Sequence, residues 1–349
     1  MEINRNFITT KEWINETIRG KHHISFYQEF FQDETMNLPR TKGIHPPQWG
    51  SVKFKKPYLA VIENGGVCGE KGLVVTPNNK LLTDVVHPNY WVFFDPSQLP
   101  SSSYSKETIA VLNYGNYQDN YFHWLFDILP RIHLINRSGI TVDKYVLGKL
   151  RYPFQWETLD RLGITTRNLL QIDGENFFLK AKNLVVISLQ KNLGGCPKWA
   201  CNFLRNTFLK ETNKPKGFER IYISREDASH RKVKNEEEIL NLLCTKGFKK
   251  IVLSGVSFQE QIHIFSSAKF IVSPNGAGLT NLVFCTPGTR VVELFARTAN
   301  IFMRIGSFVG LDHYYLKCGE DDRNNRKTFY KDIIVNPKEL VQVLRKIGI

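Results

Sequence analysis

From about residue 107 onward, short apolar runs alternate with stretches whose apolar residues recur at helical spacing. Thr108–Leu112, Lys144–Leu147 and Asn183–Ile187 read as strands. Between them a long aromatic helix is expected through Tyr121 to Asn136, ending near Ser138 and Gly139, and a second across Trp156 to Leu162. The alternation restarts with the strand-like Arg220–Ser224, Lys250–Leu253, Lys269–Ser273 and Arg290–Phe295. Asn235 is placed to cap a helix whose first turn, Glu236, Glu237 and Glu238, suits the positive helix start. Ser257 and Glu260 have capping-box spacing ahead of the apolar stripe Ile262, Ile264, Phe265 and Ala268.

Before this region the texture differs. Residues 50 to 100 are rich in Gly, Pro and Asn and hold β-type pieces such as Tyr58–Ile62 and Tyr90–Phe94. Strands alternating with helices predict an α/β fold, with mostly parallel sheets covered on both faces. At about 150 residues per domain, 349 residues make roughly two such domains. The polar, turn-rich Thr212–Gly217 is the expected linker. The layout is then a β-rich N-terminal region, 1–100, packing on a first domain, 101–215, followed by a second, 216–349, whose last helix is a candidate to return to the first. Such a tandem places a cleft between the domains, facing the carboxyl ends of the strands.

Composition narrows the classes. With 42% hydrophobic and 23% charged residues the chain is of ordinary globular make-up, not disordered. Its apolar runs are too short for a spanning helix, which needs about twenty residues. Met1 to Gly20 has no apolar core of a secretory signal, so a cytoplasmic location is expected. Cys68, Cys196, Cys201, Cys244, Cys285 and Cys318 include no Cys-x-x-Cys pair, which argues against a zinc ribbon and for free thiols. The balance of 47 basic to 33 acidic residues, a net +14, favours anionic partners. The basic residues are scattered and no recognition motif accompanies them, so nucleic acid is not an expected partner.

Three stretches carry candidate chemistry. Ser273–Asn281 follows an apolar strand and opens into an expected helix; Gly276 and Gly278 would let the backbone approach a phosphate, or would only permit a tight turn. Ser224–Asn235 holds Arg225 and Arg231, whose guanidinium forks match a phosphate oxygen pair, though an arginine-rich loop is often just solvated. Asn120–Arg131 places His123 and Asp127 four apart on one helix face, either an oriented base or a hydrogen-bonded core histidine among Phe122, Trp124 and Phe126. Pro130 makes that facing depend on how the helix accommodates it. Glu293, acidic within an apolar run, needs a partner, which a ribose, Arg225 or Arg297 would supply.

In order along the chain stand His-Trp-Leu-Phe-Asp-Ile-Leu-Pro-Arg from His123, Arg-x5-Arg-x3-Asn-Glu from Arg225, Phe-Gln-Glu-Gln-Ile-x4-Ser-Ala from Phe258, and Asn-Gly-Ala-Gly-Leu-Thr-Asn-x2-Phe from Asn275. This ordered set, over about residues 110 to 320, resembles glycosyltransferase family 61. The resemblance implies a GT-B-like arrangement of two Rossmann-like domains and inverting transfer of a sugar from a nucleotide-sugar, a UDP-sugar first, to a glycan or glycolipid acceptor. It implies that Arg225, Arg231, Asn275, Gly276, Ala277, Gly278, Leu279 and Asn281 hold the donor, that Glu293 takes its ribose, and that His123 and Asp127 lie on the acceptor side. His123 is the expected base with Asp127 orienting it, Asp127 itself being the other candidate.

This chain departs from the family pattern in two places. Asn275 stands where the family usually has His, and Ser254-Gly255 where it tends to have Glu. Asparagine cannot become cationic. No Asp-x-Asp occurs, so no metal and no cofactor are expected, the arginines and the helix start carrying the leaving group instead. Peripheral contact with the inner face of a membrane is a further expectation. The competing reading is a catalytically inactive nucleotide- or glycan-binding protein of the same fold.

Overall fold

The computed structural model describes residues 6–18, 24–188, 195–209, 216–297, 299–319 and 330–349. The chain forms two compact units, Met1–Glu34 with Phe54–Gly195, and Thr35–Lys53 with Cys196–Ile349. The expected linker Thr212–Gly217 falls mostly outside the described residues. The helix Lys198–Phe208, expected in the first domain, belongs to the second unit, where Arg205 Nη1 donates to the carbonyls of Val283 and Cys285.

The first unit begins with β1 (Phe7–Ile8), α1 (Thr10–Ile18) and β2 (Ile24–Glu29). The chain then passes through β3 (Glu34–Asn37), β4 (Lys42–Ile44) and β5 (Ser51–Phe54), and resumes as β6 (Tyr58–Glu63), β7 (Gly66–Cys68), β8 (Leu73–Val75), β9 (Leu81–Leu82) and β10 (Ser103–Val111). A 3-10 turn, Gly115–Asp119, leads into α2 (Tyr121–His123), the π turn Trp124–Ile128 and α3 (Leu129–Ser138). After these come β11 (Lys144–Leu147), α4 (Pro153–Arg161), β12 (Leu169–Gln171) and β13 (Phe178–Ile187).

Strands β13, β10, β11 and β12 lie side by side and parallel, with Ile109 opposite Leu184 and Lys144, and Tyr145 opposite Leu169. Their apolar residues are buried, Ile109, Val146 and Leu184 completely, as a parallel sheet covered on both faces demands. The early β-rich segment adds to this same sheet: β6 and β7 both run antiparallel to β13. In chain order β10, β11 and β12 step outward on one side, and β13 returns on the other side of β10. Strand order therefore reverses between β10 and β13. One β-type piece is not a strand: Tyr90 lies in a 3-10 turn started by Pro88, with the His87 ring accepting from the Asn89 N–H.

The second unit contains α5 (Lys198–Phe208), β14 (Arg220–Ser224), α6 (Glu236–Cys244), β15 (Lys249–Val252), α7 (Phe258–Ser267) and β16 (Phe270–Pro274). The 3-10 turn Ala277–Phe284 follows, then β17 (Arg290–Phe295), α8 (Ile301–Val309), β18 (Asp312–Lys317) and α9 (Pro337–Lys346). Its sheet runs β15-β14-β16-β17-β18-β4, all neighbours parallel. The edge strand β4 comes from the early excursion. Gly43 has φ +128° there, and a β-carbon on it would fall 1.9 Å from the Tyr315 carbonyl oxygen, so only glycine fits. Here strand order reverses between β14 and β16. The last helix, a candidate to return to the first domain, stays in this unit: Leu340, Val343 and Leu344 pack in one core with Tyr222, Val272 and Val292.

Local signals at helix starts are kept or reassigned. Ser257 and Glu260 form the reciprocal capping box at α7. Asn235 stands at the N-cap position of α6 as expected, but its side chain makes no capping bond there. Its amide instead donates to the Val335 carbonyl at 2.8 Å and accepts from the Val335 N–H at 3.0 Å, substituting for a strand neighbour. A carboxylate caps helices as well as an amide but has no N–H for Val335. Asn235→Asp is therefore expected to lower stability by about 1–2 kcal/mol, read as a drop in thermal unfolding midpoint. An unchanged midpoint would mean that the Val335 bonds contribute nothing.

Candidate active site

Two side-chain constellations stand at carboxyl ends of parallel strands, one in each unit. In the second unit β14 hands over at Ser224 to the loop 225–231. There the Arg225 Nε and Nη2 both donate to the His230 carbonyl, at 3.3 and 3.0 Å. Its Nη1 lies 2.0 Å from where a β-carbon on Gly276 would sit, so the guanidinium packs onto the bare glycine. Gly276 is extended, at φ −179°. What the position requires is the missing side chain, not left-handed freedom.

Arg231 does take up a left-handed backbone, φ +60°, a conformation that costs a residue with a side chain about 1–3 kcal/mol. From there its Nη1 donates to Asn275 Oδ1 at 2.6 Å. The Asn275 Nδ2 donates to Glu293 Oε1 at 2.7 Å, and Glu293 Oε2 meets His313 Nε2 at 2.9 Å. Arg231, Asn275, Glu293 and His313 thus form one row running inward across β16, β17 and β18. Glu293 is 0% exposed.

The charge of this corner is positive. Burial, and after it the charge of Arg225, brings the Arg231 guanidinium down to about 10. Burial also lowers Arg225, and it lowers His230 together with both arginines. Desolvation lowers all three, with like charge adding to it at Arg231 and His230 and with Asp227 and Asp332 opposing it at Arg225. Among the described residues Arg225 makes no ion pair, so its charge is available to an incoming anion.

Of the residues predicted to act together here, Arg225, Arg231, Asn275 and Gly276 are in contact. Ala277 and Gly278 sit on the half-buried start of the following turn, which is 3-10 rather than the expected α-helix. Leu279 and Asn281 are fully buried, and Asn281 Nδ2 donates to Gln261 Oε1 at 2.8 Å, tying the turn to α7. Both oxygens of Glu293 are engaged within the protein, one with the Asn275 amide and one with the His313 ring. His313 escaped the sequence reading. It becomes visible only through register, which sets Tyr315 opposite Glu293 and thereby puts His313, two residues earlier, on the same sheet face.

In the first unit Asn120 caps the helix after β10, its Oδ1 accepting from the N–H groups of Phe122 and His123. Pro130 lacks an N–H, and its ring would strike the carbonyl of residue 126 in a regular helix. The chain responds by widening: the Leu129 N–H bonds to the Trp124 carbonyl, one residue further back than in an α-helix. The Trp124 indole N–H, bonded to Thr158 Oγ1 at 2.8 Å, pins the turn to α4.

On this frame His123 Nδ1 and Asp127 Oδ2 are 2.6 Å apart, with the side chains 16% and 7% exposed. A carboxylate there holds the proton on Nδ1 and leaves Nε2 as the acceptor. Tyr117 and Tyr114 pack beside His123, with ring centroids at 5.0 and 5.8 Å. Arg131 lies buried over the Tyr114 ring, and its Nε donates to the Asp127 carbonyl. His87 stacks on Tyr117 at 4.4 Å and is pushed down by burial, with the charge of His123 as the second cause. The reading of His123 as a bonded histidine and its reading as an oriented base are both met by this geometry. His87, Tyr114 and Tyr117 carried no sequence signal, since only the folded turn brings them to His123.

Comparison with known proteins agrees with the resemblance. Residues 121–292 match the family model Glycosyltransferase 61, a stretch that holds His123, Asp127, Arg225, Arg231, Asn275 and Gly276 but ends before Glu293 and His313. The chain is also similar to the protein O-linked-mannose beta-1,4-N-acetylglucosaminyltransferase 2 of Takifugu rubripes, 29% identical over 126 residues. That alignment covers 34% of this chain and 21% of the relative, so the chain matches about a fifth of the relative's length.

The inward row makes a stability prediction. Glu293→Ala leaves the Asn275 amide and the His313 ring without their shared acceptor, and removing one side of a buried pair costs about 3–5 kcal/mol. Denaturant unfolding is expected to register this loss. A cost below about 1 kcal/mol would show that the row is incidental.

Proposed function

We propose that the protein is a glycosyltransferase of GT-B-like layout that moves a sugar from a nucleotide-sugar, most simply a UDP-sugar, to a hydroxyl of a glycan or glycolipid acceptor. The observation that carries this reading is the contact of Arg225 with Gly276 beside the Arg231–Asn275 bond. It stands where the strand order of the second sheet reverses, which is where open α/β sheets bind ligands. Two guanidiniums on one loop suit a diphosphate in charge and in donor geometry. The glycosyltransferase 61 match over residues 121–292, which include His123, Asp127, Arg225, Arg231, Asn275 and Gly276, supports the same reading.

In the reaction, the acceptor hydroxyl gives its proton to His123 Nε2 as the oxygen attacks the anomeric carbon and the bond to the nucleoside diphosphate breaks. Asp127 holds the imidazole in its accepting tautomer and stabilises the imidazolium. Arg225 and Arg231 take up the charge that grows on the departing phosphate, so the step needs no metal ion in this proposal. Attack opposite the leaving group inverts the anomeric centre. The work is assigned to the cytoplasm, at the inner face of a membrane when the acceptor is lipid-linked.

Asn275 keeps a use in this scheme. Glu293 claims its N–H side, so the oxygen faces Arg231 and fixes that guanidinium beside Arg225. Arg225→Ala is expected to weaken UDP binding about ten- to hundredfold, the loss of a charge-assisted contact, measured by calorimetry. His123→Ala is expected to keep UDP binding and lose transfer. Unchanged UDP affinity in the arginine variant would overturn the donor assignment. Binding without turnover in the unaltered protein, across many acceptors, would favour an inactive binding protein.

A further inference from the structure

A cavity in the first unit takes part in neither constellation. It has a volume of about 390 Å³ and opens where the loops leaving β10, β11 and β12 meet the turn after β7. That volume is within the roughly 300–1,000 Å³ of small-molecule sites, and the position is the ligand-binding edge of an open α/β sheet. We propose that this cavity binds an uncharged sugar ring, the part of the acceptor glycan next to the hydroxyl that reacts; the acceptor role, unlike the binding itself, rests on the function proposed above.

The walls are built in advance. Gln118 is buried, accepts from the Gly148 N–H at 3.0 Å and donates to the Lys149 carbonyl at 3.0 Å. Gln155, also buried, accepts from the Arg151 and Tyr152 N–H groups and donates to the Gln118 carbonyl. Gln171 Oε1 takes the Leu150 N–H at 2.8 Å. Three amides thus fix one loop, residues 148–152, from both sides. Buried amides are worth their desolvation only when fully bonded, and such a network sets one shape for the backbone it holds.

What the walls leave open decides the ligand. Arg151 is paired with Asp119, and Glu70 with Lys71. The groups at the cavity with no bonding partner among the described residues include the Lys149 ammonium, the Asp173 carboxylate, the Asn116 amide and the Gln171 Nε2. They offer donors and acceptors without net charge. This matches the vicinal hydroxyls of a neutral sugar and not a phosphate, in contrast to the two-arginine corner of the second unit. Next in sequence to Arg151, Tyr152 is 44% exposed and stacks on Phe154 at 5.6 Å, leaving an aromatic face free for sugar C–H groups. The Gly115–Asp119 turn supplies the cavity with Asn116 and Gln118, and its Tyr117 packs against the His123 ring. One short turn therefore connects cavity and base.

The test is saturation-transfer NMR of the whole chain with methyl glycosides of glucose, galactose, mannose and N-acetylglucosamine, and with methyl glucuronide as the charged control. UDP-induced thermal stabilisation is read on the same samples. Lys149 and Asp173 are exposed, so Lys149→Ala/Asp173→Ala is expected to fold normally. At least one neutral glycoside is expected to bind the unaltered protein and to lose at least fivefold of its transfer signal in the double variant, with the UDP effect unchanged. Equal signal in the variant, no neutral glycoside bound, or preference for the glucuronide would each overturn the proposal. Loss of the UDP effect in the unaltered protein would instead count against the donor reading, because sugar binding is scored independently of it.

Discussion

A guanidinium can stand at the end of a strand only if room is made for it, and in the second unit Gly276 makes that room. Arg225 fills the space of the absent side chain, and its hydrogen bonds within the protein go to the His230 carbonyl, not to a carboxylate. The positive charge is therefore positioned without being neutralised. Everything around it follows from that constraint. Arg231 must hold its own charge a loop's width away, which it does from a left-handed backbone and against a neutral amide oxygen. The only carboxylate in the row, Glu293, stands behind that amide and is occupied by His313. Burial without a direct counter-charge lowers both arginines, so an anion arriving there regains electrostatic energy that the fold has forgone.

The first unit solves a different problem, how to hold a histidine in one orientation. Pro130 forces a π turn, and the widened turn is clamped by Trp124 to Thr158 while His123 leans on Asp127. Stiffness here comes from a proline that a regular helix would reject. The cavity beside it adds a third character, polar and without net charge. Across the two units the chain thus separates three kinds of surroundings: a two-arginine corner, a carboxylate-oriented imidazole and a polar cavity whose open groups carry no net charge.

Much of this was legible in the residues. The strand and helix alternation, the Ser257 capping box and the helix ending at Ser138–Gly139 are local features, and local propensity decided them. The pairing of His123 with Asp127 also follows from helical spacing alone. What escaped is what register and long-range contact decide. Asn235 looks like a cap, yet Val335, a hundred residues on, claims its amide. Gly276 reads as a glycine for a tight turn or for backbone approach to a phosphate, yet it is extended and the space of its missing side chain holds Arg225. Glu293 was expected to need a partner, but that Asn275 and His313 are its partners within the protein shows only once β16, β17 and β18 are aligned. The early β segment showed no sign that one of its strands, β4, closes the far edge of the second sheet.

The most direct measurement compares uridine, UMP and UDP as ligands of the unaltered protein, by calorimetry in the presence of a chelator. If two guanidiniums clasp a diphosphate, UDP binds roughly tenfold or more tightly than UMP, UMP more tightly than uridine, and added salt narrows both gaps. Equal affinity for the three would contradict the account, since the arginine corner would then contribute nothing to holding the donor.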